Sequence, residues 1–192
     1  LVIHEAIAGP VLERVADLVA GIRIGRPADP TTEMGSLISR EARDRCLATI
    51  ERAVADGARV VAGGGVPPDA DLAGAFLQPP VLDRVAPSSA IARDEVFGPV
   101  LSALTFATEA EAVELANLGD YGLTAAVWTS DIDRALRVVG RLEAGYVWVN
   151  DVETRYPAMP FGGWRDSGVG VEHGLAEILS FTRLRSVNVR VR

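Results

Sequence analysis

The chain has 192 residues, 48% of them apolar and 23% charged, a balance that suits a globular protein with a buried core and excludes an intrinsically disordered one. Its net charge of −7 argues against a nucleic-acid partner, which needs clustered cations on one face. All 19 basic residues are arginine, so no lysine is available for a Schiff base or a phosphate loop, and apolar runs such as Leu123 to Trp128 are too short to span a membrane.

In chain order, Val11, Leu12, Val15, Leu18, Val19 and Ile22 fall on one face of an amphipathic helix. Gly25, Pro27, Asp29 and Pro30 then impose a loop as far as Gly35. Ser39 is a candidate cap for a second helix that ends at Gly57, with Ala42, Cys46, Thr49, Ile50 and Ala53 inward. Arg59 to Ala62 is a short strand candidate. The stretch from Val66 to Ala90 reads as a long connection with one extended piece around Leu77 to Leu82.

From Pro99 onward the pattern is strand, helix, strand, helix, strand. Its parts are the run Val100 to Phe106, a helix over Glu109 to Leu118, the run Leu123 to Trp128, a helix over Asp131 to Leu142 and the run Tyr146 to Val149. Strands that are apolar on both faces and joined through single helices belong in a parallel sheet covered on both sides, so the fold class is α/β. After Asn150 comes a Gly- and Pro-rich loop, then a short helix over Glu172 to Leu179. In the tail, Val187, Val189 and Val191 alternate with polar residues as in a half-buried strand.

Few residues offer chemistry by themselves. Cys46 lies on an apolar helix stripe, where a reactive thiolate is disfavoured, and with only His4 and His173 beside it in the composition no metal site is expected. Both histidines read as structural. Gly168 to Gly174 has one residue too many for a dinucleotide fingerprint and does not join a strand to its crossover helix. Two clusters remain. Asp94 to Pro99 sets acidic residues and Phe97 before a buried strand, where a carboxylate could accept two sugar hydroxyls or simply face solvent as a turn. Trp148 to Asn150, followed by Pro160 to Gly163 and Ser167 to Gly170, has the glycines of loops that line clefts.

Taken together these segments resemble the aldehyde dehydrogenase superfamily, in order along essentially the whole chain. LVIHEAI, from Leu1 to Ile7, looks like the strand segment that follows the nucleophilic cysteine. GRPADPTTEMGSLI, from Gly25 to Ile38, is similar to the family loop G-x-P-x-D-P-x-T-x-x-G-P-x-I, with Ser36 where proline is usual. DEVFGPV from Asp94 to Val100, YGLTAAVW, VWVN and PFGGWRDSGVG complete the series.

The resemblance implies a parallel-sheet catalytic domain over residues 1–170, and a C-terminal helix and oligomerisation strand over 171–192. It implies NAD or NADP as cofactor and a small-molecule aldehyde as substrate. The reaction would run through a cysteine thiohemiacetal and thioester, with the cysteine and the general-base glutamate upstream of Leu1, so that this chain alone is expected to be inactive. Glu95 then matches the glutamate that binds the nicotinamide-side ribose, Phe97 the aromatic beside the nicotinamide, and Phe161 the aromatic that flanks the nucleophile. Asp151 to Met159 matches the variable substrate-tunnel segment and contains Glu153 and Arg155.

An arginine there could bind a substrate carboxylate, or pair with Glu153 at a wet rim. A homo-oligomer built through the C-terminal strand and a cytoplasmic location, with no membrane association, are also expected. Three other readings stay open: a coenzyme A-acylating dehydrogenase, an inactive homologue that only oligomerises, and a free-standing nucleotide-binding domain, the last disfavoured by the missing phosphate loop.

Overall fold

The structure is a computed structural model that describes residues 1–69, 72 and 74–191. These fall into two compact units, Leu1–Gly119 and Asp120–Arg192.

In the first unit, β1 (Val2–His4) leads directly into α1 (Glu5–Ala20). The helix starts a turn and a half before the apolar stripe that suggested it. His4 caps it, its Nδ1 accepting from the Ala6 amide at 3.1 Å, and Ala8 is buried although Gly9 and Pro10 follow. Ser39 caps α2 (Arg40–Ala55) as expected, its hydroxyl accepting from the Ala42 amide at 3.1 Å. Ala42, Cys46, Ile50 and Ala53 form the buried face of α2.

Next come β2 (Arg59–Ala62), β3 (Val81–Asp83), the single turn α3 (Ala90–Arg93), β4 (Leu101–Ser102), β5 (Leu104–Phe106) and α4 (Glu109–Ala116). The long connection expected over 66–90 thus holds a strand and the start of a helical turn, and three of its residues lie outside the described set.

The run from Leu101 to Phe106 is shared between two pairings. Leu101 and Ala103 donate to Pro80 and Leu82, whereas Leu104 donates to Leu1. Alternate amides of a strand face opposite edges, so this run has β3 along one edge and β1 along the other. Both of those pairings are parallel, and β2 joins β3 antiparallel, with Arg59 opposite Asp83. There Arg59 grips Asp83 in a fork of 3.0 and 2.5 Å.

Neighbouring residues in these strands bury toward different partners. Val81 and Ala103 pack with Ile3, Ala8 and Leu12, so α1 covers one face. Leu82 and Leu104 pack with Ile50, Ala53 and Ile91, so α2 and α3 cover the other. This is the two-sided cover that the apolar runs call for.

The second unit is a strand–helix–strand. Parallel β7 (Thr124–Val127) and β8 (Tyr146–Val149) are joined through α5 (Ile132–Val139), which Asp131 caps by accepting from the Arg134 amide at 3.0 Å. Antiparallel β6 (Tyr121–Gly122) and β9 (Trp164–Arg165) flank it, and α6 (Leu175–Ser180) follows.

The tail departs from expectation. Residues 182–191 form neither helix nor strand, and Val187, Val189 and Val191 are 74%, 74% and 88% exposed. A strand requires a ladder partner, and none of the described strands pairs with this segment. No helix among the described residues is long and apolar enough to cross a membrane.

Candidate functional site

The expected site residues divide between the two units, Glu95 and Phe97 in the first and Glu153, Arg155 and Phe161 in the second. In the first unit, α3 ends where the Asp94 amide bonds the Ala90 carbonyl at 2.8 Å, and the chain then turns through Glu95 to Pro99 before entering β4. Val96 packs against the core under α2. Glu95 and Phe97, on either side of it, are exposed, Phe97 to 80%.

Phe97 has a φ of 53°, a left-handed conformation that costs a bulky residue energy and that the surroundings must enforce. They do so at the next residue. A side-chain carbon at Gly98 would collide with Cys46 Sγ, so only glycine lets the loop lie this close to α2. The anchored side of the loop is fixed, and the free side presents a carboxylate and a phenyl ring.

Glu95 makes no side-chain hydrogen bond or ion pair among the described residues. An ionised carboxylate is acceptor-only, with lone pairs enough for both hydroxyls of a vicinal diol. Phe97 adds an apolar wall nearby. Both residues border a hollow of about 470 Å³, floored by Ile91, Val100, Leu104 and Leu115. A carboxylate, an aromatic and a hollow fit the ribose and ring of a nucleotide.

Cys46 is not a nucleophile. It is 1% exposed, and burial pushes its thiol up, against a smaller opposing effect of Arg45. Its role is the contact with the Val96 and Gly98 backbone.

In the second unit the segment after β8 folds back over the sheet. Asn150, at a φ of 54°, bonds Thr129 twice, accepting from its amide at 2.9 Å and donating to its carbonyl at 2.8 Å. Trp148 Nε1 donates to the Thr154 carbonyl at 2.7 Å and so holds the loop by its middle. Phe161 is fixed by reciprocal amide bonds with Glu172, at 2.9 and 2.7 Å. Its ring meets Tyr146 at 5.8 Å and His173 at 6.2 Å.

Phe161, Trp148, Val152, Glu153 and Arg155 line a hollow of about 630 Å³ whose floor is the stretch Leu123–Ala126. The loop and the aromatic anticipated from the motif are therefore together. The Arg155–Glu153 pair considered from the sequence is absent among the described residues. Instead the Arg155 guanidinium carbon lies 4.2 Å from the centre of the Phe161 ring. A cation over a π-face is attracted by the ring quadrupole, and the spacing of Arg155 from Glu153 and Phe161 does not say which of them it meets.

Trp148 falls in a cluster that the sequence marks as lining a cleft, whereas Tyr146 is marked only as the start of a strand. Their place follows from alternation along β8 together with the aromatic contact between them, 4.8 Å centre to centre. His173, which read as structural, touches Phe161 from behind, and its own amide donates to Glu177 at 2.6 Å.

Residues 1–187 match the model of the aldehyde dehydrogenase family. The chain is 43% identical to the aldehyde dehydrogenase tropH of Talaromyces stipitatus, over 98% of this chain and 38% of that protein. It is 41% identical to a betaine aldehyde dehydrogenase of Sinorhizobium fredii, over 97% of this chain and 38% of that one. Among solved structures, betaine aldehyde dehydrogenase of Staphylococcus aureus in complex with NAD+ superposes with a TM-score of 0.88 at 37% identity, covering 94% of this chain and 36% of that one. The chain thus spans well under half the length of these relatives.

Proposed function

Because the chain belongs to the aldehyde dehydrogenase family, we propose that it forms part of the catalytic domain of an enzyme that oxidises an aldehyde to a carboxylic acid with NAD+ or NADP+. The observation that carries this reading is the Asp94–Pro99 loop, whose Gly98 is seated on Cys46 while Glu95 and Phe97 face outward. When bound, the nicotinamide takes the hydride released by the aldehyde carbon.

The residues of this chain orient and enclose. Glu95 accepts the hydroxyls of the nicotinamide-side ribose, and Phe97 limits how far the ring can swing. Phe161, held from behind through Glu172 and His173, walls the reacting aldehyde, and the loop containing Glu153 and Arg155 forms its entrance. The thiolate that forms the thiohemiacetal and then the thioester comes from outside these 192 residues, since Cys46 is buried, and so does the base that activates water. This segment by itself is then without activity.

The reading is tested with the full-length protein: on addition of an aldehyde, absorbance of reduced NADH or NADPH grows with time. Failure across aliphatic, aromatic and charged aldehydes with both cofactors would refute it.

The alternating tail supports an assembly role. Val187, Val189 and Val191 are exposed in the single chain and regularly spaced, as in a strand that completes its ladder on a second copy. Removing Leu184 and everything after it is expected to lower the mass measured by light scattering to that of a smaller oligomer. An unchanged mass would refute that role.

A further inference from the structure

We propose that the hollow of the second unit accepts an aldehyde carrying a carboxylate at its far end, and that Arg155 recognises that carboxylate. This rests on the reading of Asp151 to Met159 as the substrate entrance.

The hollow, about 630 Å³, has the size of a small-molecule site, and its floor from Leu123 to Ala126 bears no charge. The two charges in its lining are Glu153 and Arg155. They form no ion pair with each other, and among the described residues Arg155 has no carboxylate partner at all. What it touches is the face of Phe161, at 4.2 Å.

That contact engages no N–H donor, and among the described residues the guanidinium makes no hydrogen bond or ion pair. Because Phe161 is itself fixed by two backbone bonds to Glu172, the fork is restrained before any ligand arrives. A restrained planar fork with unused donors suits a planar carboxylate, which it can bind through two parallel hydrogen bonds at reduced entropic cost.

The same contact disfavours the opposite charge. Trp148 and Phe161 present aromatic surface that could hold an ammonium group, but the cation on Phe161 is already Arg155. Betaine aldehyde, a quaternary ammonium aldehyde, would meet a like charge there. Glu153 is the one lining group that opposes an anion, and its neutralisation should strengthen the preference.

The experiment compares kcat/KM of the full-length enzyme for glutarate semialdehyde, pentanal and betaine aldehyde, in the wild type and in Arg155→Ala, Arg155→Lys and Glu153→Gln. The expected wild-type order is anionic, then neutral, then cationic. Arg155→Ala should lower the ratio of anionic to neutral by roughly ten- to a hundredfold, the range of one charge-assisted hydrogen-bonded contact. Arg155→Lys should restore part of it, and Glu153→Gln should raise it. A wild-type preference for the neutral or cationic aldehyde, or a ratio unmoved in Arg155→Ala, would overturn the proposal.

Glutarate binding, followed by the fluorescence of Trp148 in the lining, gives a second readout that needs no turnover. Saturable binding lost in Arg155→Ala supports the anion site even if no aldehyde is oxidised, an outcome that would count against the proposed activity alone. Binding that is absent in the wild type, or equal in both proteins, counts against the anion site.

Discussion

Replacing Glu95 with glutamine is expected to weaken dinucleotide binding by about ten- to a hundredfold, with the thermal midpoint unchanged. The size follows from the chemistry of the group. A hydrogen bond to an ionised carboxylate contributes roughly 1.5–3 kcal/mol, and about 1.4 kcal/mol corresponds to a factor of ten in affinity. The amide of glutamine keeps one acceptor oxygen but puts a donor where the second ribose hydroxyl must also donate, so the loss is partial. Stability should hold because Glu95 is exposed and makes no side-chain bond among the described residues. Titration of the full-length protein with NAD+ and with NADP+ by calorimetry measures the effect. Equal affinity in both proteins, with equal melting, would remove Glu95 from the cofactor site.

Gly145→Ala should do the reverse and damage the fold and the site together. A methyl group at Gly145 would fall on the carbonyl oxygen of Gly162, a backbone atom that cannot rotate away. Gly145 is itself tied to the sheet, its amide donating to the Gly122 carbonyl at 3.0 Å, so the movement is forced on Gly162 and on Phe161 next to it. Overpacking of this kind costs about 1–3 kcal/mol, a large share of a typical domain's stability. A lower melting midpoint, a higher KM for aldehyde and altered emission from Trp148 are the expected signs. Wild-type melting together with wild-type KM would show that this approach of the two segments is not required.

Most elements could be read from local pattern. Arg59 to Ala62 and Tyr146 to Val149 are strands with the bounds their apolar runs suggest. Ser39 marks the start of α2 because an N-cap is a local hydrogen bond, set by residues three apart. The beginning of α1 was harder to read, since Gly9 and Pro10 are poor helix formers and the helix persists there through the burial of Ala8. The site was legible chiefly as motifs. Their order along the chain pointed to Glu95, Phe97 and Phe161, but nothing in the spacing said that Gly98 would sit on Cys46 or that Arg155 would choose Phe161 over Glu153.

Local pattern carries the two-sided burial of the strands. Val81 and Leu82, and again Ala103 and Leu104, are consecutive apolar residues, and a strand sends consecutive residues to opposite faces, so a sheet covered on both sides was already implied. Which strands are neighbours comes from contacts distant in the chain. The run from Leu101 to Phe106 bonds β3 with one set of amides and β1 with the other, although β1 lies a hundred residues away. A period of two encodes the face of a strand and says nothing about its edges, because backbone amides are the same in every residue but proline. The tail shows the same limit: its valines alternate as a strand's do, yet a ladder needs a second strand, and no strand among the described residues pairs with it.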